Sequence, residues 1–241
     1  VMRALQRVQH ACSERVRGPF EKDDWAFHSV ARCGYGRLDI RGVGHGVAPL
    51  DDARLHADAP WLPFVRAVLG QEAVEAYRGF VVHYPGSEMQ LWHADGPPVD
   101  PHAPGAAGVE SSVYPRANCL TIFLPLCPLE IHGGAAEQYL PASHMPFRGP
   151  LYDELEAEEP LAGPVPFADP TPPVGSAIAM DCRILRRATP NERPAPPPED
   201  EEASAMHCGE REVLYITYAC DAAEARACRV RGTRKDAWAR A

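Results

Sequence analysis

His93 and Asp95 stand two residues apart in the run Gln90-Leu91-Trp92-His93-Ala94-Asp95-Gly96. Where a chain is extended, residues i and i+2 share a face about 7 Å apart along the backbone, so this imidazole and carboxylate can converge on one ion. They make two of the three ligands of the 2-His-1-carboxylate triad that holds non-haem Fe(II). The extended reading comes from context. Gly79-Phe80-Val81-Val82-His83 is an apolar strand-like run, and Pro85-Gly86-Ser87 supplies a turn before the second extended stretch.

A second His-Ala-Asp, His56-Ala57-Asp58, acts as a control. It precedes Pro60 and the apolar run Trp61, Leu62, Phe64, Val65, Val68 and Leu69, closed by Gly70, which predicts a helix with Asp58 as its N-cap. Asp58 is then used as a cap and His56 lies in the preceding loop, so this copy is not the metal pair. The eight cysteines include no Cys-x-x-Cys pair, which leaves no zinc or dithiol motif by spacing. Cys119, Cys127, Cys182 and Cys220 lie in or beside apolar segments and read as buried thiols in a reducing, intracellular compartment. There is no Gly-rich phosphate loop and no Gly-x-Ser-x-Gly turn, so nothing supports a nucleotide site or a serine hydrolase.

The elements that must position these residues are mostly short strands. Residues 1–16 carry apolar positions at helical spacing, and a strand is expected around Arg37–Ile40. Further strands are expected in Ala117–Leu126, in Glu137–His144 (ending in a turn), in Gly175–Asp181 with Arg183–Arg187 continuing it or starting another, and in Arg211–Cys220. Residues after 220 read as basic and without a strong period. The stretches 105–112, 160–174 and 192–210 read as loops, the last acidic and proline-rich. Helices first and then many short strands predict a mainly β, jelly-roll domain with flanking N-terminal α-helices. That gives one domain over 1–241: a helical part to about 76, a β core over about 77–220, and an insertion at 192–210.

The 241 residues, 45% apolar, suffice for one sizeable core, and 26 prolines belong to loops. The net charge of −9 argues against a nucleic-acid partner, and no apolar run is long enough to span a membrane. A small-molecule substrate is the expected partner, and the oligomeric state is left open. Starting at Val1, the sequence reads as a processed chain or a fragment, with room for a targeting segment upstream.

Several segments taken together resemble the phytanoyl-CoA dioxygenase family of Fe(II)/2-oxoglutarate oxygenases. They are Pro85-Gly86-Ser87, then Gln90-x-Trp92-His93-x-Asp95-Gly96, the strand Thr121–Leu126, and Tyr139-Leu140-Pro141-Ala142-Ser143-His144, where the family has Pro-Gly-Ser-His. Asp181-x-Arg183-x-Leu185 with Asn191 follows, and Arg211 leads the last strand. The resemblance spans roughly 65–220 and implies a double-stranded β-helix, cupin-like, with iron at one mouth and 2-oxoglutarate chelating it. It implies His93 and Asp95 as catalytic iron ligands and Arg211 as the fork onto the far carboxylate of 2-oxoglutarate. Gln90, Asn118 and Thr121 are further cosubstrate candidates. The implied reaction is hydroxylation of a small or acyl substrate, with specificity in loops 97–116 and 145–174.

The family's third ligand is a histidine just after Asp-x-Arg-x-Leu, and here Arg186 stands in that slot. Arginine offers donors and no lone pair. Three arrangements are open at this point. Two protein ligands and 2-oxoglutarate hold iron with Arg186 aside; Cys182, His144 or His207 substitutes; or the metal is gone and Arg186 pairs with Asp95. The last corresponds to a non-catalytic jelly-roll protein that serves in binding or regulation.

Overall fold

In the computed structural model the described residues are 29–32, 37–41, 52–96, 117–129, 137–144, 171–192 and 210–233. Their strands are β1 (Ser29–Arg32), β2 (Arg37–Arg41), β3 (Val74–His83), β4 (Cys119–Pro125), β5 (Glu137–Tyr139), β6 (Ile178–Asp181), β7 (Arg186–Ala188) and β8 (Arg211–Ala219). The helices are α1 (Leu62–Leu69) and α2 (Ala222–Thr233). A six-stranded antiparallel sheet runs β1-β2-β3-β8-β4-β6, and β5 and β7 form a second, smaller sheet. This is the mainly β, two-sheet jelly roll that the sequence predicts.

The period of two decides what each face of the large sheet does. Phe80, Val82, Leu120, Ile122, Leu124, Leu214, Ile216 and Tyr218 form one buried apolar cluster with Val65 and Leu69 of α1. Trp61 Nε1 donates to Tyr218 Oη at 2.9 Å, which fixes the helix on the sheet. Full burial of a side chain such as Val65 or Leu69 contributes about 1.5–3 kcal/mol. The intervening positions face the other way, into the space between the sheets: His83 and Val81 on β3, Thr121 and Phe123 on β4, Val213, Tyr215 and Thr217 on β8. All nine residues of β8 are buried, and the pattern is apolar toward α1 and mixed toward the interior.

Several local expectations change. The helix starts at Leu62 with Trp61 as N-cap, without a side-chain cap, and Asp58 only donates its backbone N–H to Ala53. Asp52 supplies a cap instead, to the short 3-10 turn Ala53–Leu55. Gly70 ends α1 at φ 108°, a backbone angle that glycine adopts without a Cβ clash. The part of the chain before 77 is not purely helical, because β1 and β2 extend the large sheet through β3. Ala222–Thr233 form α2, whose N-cap Asp221 accepts from Ala223 N and Glu224 N at 2.8 Å. Arg186–Ala188 begins a separate strand and pairs with β5.

Cys220 is only half-buried, whereas Cys119, Cys127 and Cys182 are buried, and all are reduced thiols. Among the described residues no helix is long and apolar enough to cross a membrane. The expected helix 1–16, the loops 97–116 and 145–170, most of the 192–210 insertion and His207 lie outside the described residues.

Candidate metal and ligand site

His93 does not sit in a regular strand. It forms a single antiparallel bridge with Arg186, each donating its backbone N–H to the other's carbonyl at 2.9 and 2.8 Å. Gln90 N to Ala188 O (2.9 Å) and Gly96 N to Cys182 O (2.7 Å) continue this loose edge along the small sheet. Asp95 lies in a bend, so the i, i+2 geometry of a strand is only approximated. Both side chains nevertheless line one cavity between the sheets. His93 Nδ1 lies 2.9 Å from Leu91 O; a carbonyl only accepts, so Nδ1 carries the proton and Nε2 keeps the lone pair.

Arg186 reaches into that cavity and forks onto Asp95, Nε to Oδ2 at 2.9 Å and Nη2 to Oδ1 at 3.0 Å. Its Nη1 donates to Glu137 Oε2 at 2.8 Å, and its guanidinium lies over the Phe123 ring, 5.1 Å from the centroid. All three side chains are nearly buried, with 11% of Arg186, 7% of Asp95 and 11% of Glu137 exposed. Burial alone would lower the arginine pKa, but the charges of Asp95 and Glu137 more than reverse this and hold it well above the usual value. The cation is permanent. A planar fork is the geometry in which arginine binds a carboxylate best.

The interior end of the sheet carries a row of three basic side chains, because Arg37 pairs with His83 and His83 with Arg211 across β2, β3 and β8. Arg37 Nε donates to His83 Nδ1 at 3.4 Å, which assigns the imidazole proton to Nε2. Burial first, and then the positive charges of Arg37, Arg211 and Arg186, hold His83 well below the ordinary histidine pKa. The ring is therefore neutral. Its Nε2 is buried and meets no hydrogen-bond partner among the described residues, and His83 lines the cavity.

Tyr215 closes the middle of the interior. Its hydroxyl donates to Asp39 Oδ1 at 2.6 Å, and Tyr77 meets its ring edge-on at 6.1 Å between centroids. Its cross-strand partner is Gly79, where any Cβ would fall inside the phenol. What is left is a space of about 50 Å³, lined among others by Arg37, His83, Gln90, His93, Thr121 and Arg186. That is room for roughly four waters.

The structure distributes the other sequence candidates unevenly. Gln90 lines the cavity but its Oε1 accepts from Ala188 N at 3.2 Å, and Thr121 Oγ1 lies 3.0 Å from Thr217 Oγ1. Asn118 borders a smaller void behind Asp95 and not the main cavity. Arg211 is buried and does not line the cavity as the resemblance implies. It donates to Thr189 Oγ1 and Thr189 O at 2.9 Å and also to Pro190 O. Those contacts turn its guanidinium toward the segment after β7. Of the alternative third ligands, Cys182 packs against Thr121 at 3.3 Å, and His144 sits in the turn after β5 outside the cavity lining. His56 contacts the Arg78 guanidinium and lies away from the site.

Sequence reasoning gave no role to Arg37, His83, Glu137 or Tyr215. For His83 and Tyr215 a signal was available in the period of two: each holds an inward position on a strand whose alternate residues are largely apolar.

No protein-family profile matches the chain. Solved structures do. AviO1 from Streptomyces viridochromogenes is 17% identical with a TM-score of 0.56 over 90% of this chain and 84% of its own. HygX from Streptomyces hygroscopicus, solved with nickel and 2-oxoglutarate bound, is 13% identical with a TM-score of 0.57 over 91% and 79%. The non-haem α-ketoglutarate-dependent epimerase SnoN is 12% identical, with a TM-score of 0.55 over 91% and 73%. These likenesses show the fold, a cupin-type jelly roll.

Proposed function

We propose that this chain is a metal-free binding protein for a small carboxylate, built on the fold of the iron- and 2-oxoglutarate-dependent oxygenases. The observation that carries this reading is the fork of Arg186 onto Asp95 at 2.9 and 3.0 Å. Both carboxylate oxygens that would face an iron ion already accept from a permanent cation. A divalent ion drawn to the same carboxylate would meet the guanidinium charge at close range. The residues present therefore do not fit iron in the 2-His-1-carboxylate manner, and no oxidation step is derived through it. Arg186 stands as the cation of the site.

The ligand class follows from the donor that remains. The Nε2–H of neutral His83 lies at the basic end of the cavity, in the positive field of Arg37, which suits a carboxylate or a similar oxyanion. A space of about 50 Å³ accepts an anion of a few heavy atoms. Calorimetric titration with acetate, succinate and 2-oxoglutarate, each with and without anaerobic Fe(II), tests this. The expected result is binding of a small carboxylate that is indifferent to iron, with no visible charge-transfer band.

A second reading is favoured by the His93 tautomer, because an Nε2 lone pair backed by Nδ1–H on a carbonyl is the arrangement metal-binding histidines use. There the chain is a 2-oxoglutarate-dependent dioxygenase of the phytanoyl-CoA type acting on a small or acyl substrate, and Arg186 withdraws from Asp95. Tight iron binding, a charge-transfer band with 2-oxoglutarate and formation of succinate would establish it and overturn the first.

A further inference from the structure

Behind Asp95, two thiols and a carboxylate from β4 and α2 come together, and a third thiol, Cys182, borders the void beside them. Cys119 opens β4, Cys182 follows β6, and Glu224 and Cys228 stand four apart on α2, hence on one face of that helix. The Sγ atoms of Cys119 and Cys228 lie 2.7 Å apart, and Cys228 Sγ lies 3.7 Å from Glu224 Oε1. The ligand atoms of Cys119, Cys228 and Glu224 are all within 4.8 Å of one another. A void of about 10 Å³ opens among Cys119, Cys182 and Cys228, bordered by Asp95 and Thr217. That is about the size of a single water, and so of a single ion.

We propose that Cys119, Cys228 and Glu224 form a zinc site that clamps α2 to the large sheet. Soft thiolate donors with one carboxylate select a d10 ion such as Zn²⁺ over the harder cations. Tetrahedral zinc with Zn–S of about 2.3 Å places its sulfurs roughly 3.8 Å apart, so Cys119 and Cys228 need to separate by only about 1 Å. Zinc would take the two cysteines as thiolates and release their protons. α2 itself has little apolar periodicity, and among the described side chains it packs on the sheet through a small cluster of Ala76, Ala219, Ala225 and these cysteines. A metal would supply the attachment that such a cluster lacks. The void shares Asp95 and Thr217 with the wall of the cavity that Arg186 occupies, but none of the cysteines lines that cavity.

Cobalt(II) titration of the reduced, chelator-stripped protein tests the proposal. One equivalent is expected to produce a sulfur-to-cobalt charge-transfer band that zinc bleaches, and zinc is expected to raise the melting temperature. The band should persist in Cys127→Ser and His93→Ala and vanish in Cys228→Ser. Should Cys228→Ser fail to fold, Glu224→Gln leaves the cysteine packing intact and is expected to weaken zinc at least ~10-fold. No band, a band that survives Cys228→Ser, unchanged zinc affinity in Glu224→Gln, or a Cys119–Cys228 disulfide persisting under reductant would each overturn the site.

Discussion

His93 and Arg186 exchange both backbone hydrogen bonds, so residue 186 projects from the same edge as the histidine although its side chain carries no ligand atom. Side chains of such a pair start about 4.5–5.5 Å apart at Cβ and lie on one face. An imidazole at position 186 would thus reach an ion shared with His93 and Asp95. Arg186→His is expected to bind Fe(II) at least ~10-fold more tightly than the parent protein and to show a visible band when 2-oxoglutarate is added without oxygen. A variant that folds but gives no band would mean that the bridge does not aim residue 186 at the pair.

Arg186 pairs with both Asp95 and Glu137 in a nearly buried site. Removing it strands two carboxylates, which costs more than the net contribution of the ion pair itself. Arg186→Met is expected to lose about 3–5 kcal/mol in urea unfolding, and Arg186→Met with Asp95→Asn and Glu137→Gln to recover most of it. If the triple variant is no more stable than the single one, the loss comes from packing on Phe123 and not from charge.

How much of this was legible follows from the kind of signal each residue left. β4 and β8 were readable as uninterrupted apolar runs, and His93 with Asp95 as ligand types at a useful spacing. β1 and α2 were not. β1 is four residues long and has no period to read, and α2 carries almost no apolar stripe, its one mark being Asp221 as a cap. The Arg186–Asp95 contact joins residues 91 positions apart and was reachable only through the resemblance that gave slot 186 a role. Arg37 and Glu137 reach the cavity through pairings of separate strands, β2 with β3 and β5 with β7, and no local pattern reports such pairings.

Gly79 faces Tyr215 across the β3–β8 ladder with no room for a Cβ. Gly79→Ala must push the phenol off Asp39, and overpacking of this kind costs about 1–3 kcal/mol. With Tyr215→Val the clash disappears, so Gly79→Ala is expected to cost less than half as much in that background. A double-mutant cycle by thermal unfolding measures the coupling. Equal costs in both backgrounds would show that Tyr215 is not what requires the glycine.

Ala142 adopts φ 63° in the turn after β5. There Ser143 Oγ accepts from Leu185 N at 2.8 Å, and Leu140 N donates to Leu185 O at 2.9 Å. The turn fixes β5 against the segment that leads into β7, so its left-handed residue cannot relax cheaply. Ala142→Gly removes a Cβ penalty of about 1–2 kcal/mol and adds unfolded-chain entropy of about 0.4–1 kcal/mol. The expected net is a gain of roughly 0.5–1 kcal/mol, read as a higher urea midpoint at unchanged slope. A loss of stability would place the turn in another conformation.

His83 is buried between Arg37, Arg211 and Arg186, and its pKa is lowered well below the ordinary value by burial first and then by those charges. A lowered folded pKa means that below about pH 6.5 the unfolded chain binds a proton that the folded protein refuses. Stability from this group is therefore complete above pH 6.5 and is lost as the pH falls. The slope approaches about 1.4 kcal/mol per pH unit for one proton. His144, partly buried and also lowered chiefly by burial, acts in the same direction. Urea unfolding between pH 7.5 and about 5 is expected to show this decline, and His83→Gln to reduce its slope by one proton. An unchanged slope would mean that His83 stays protonated among three guanidinium groups, and the Nε2–H offered to a carboxylate would then belong to an imidazolium.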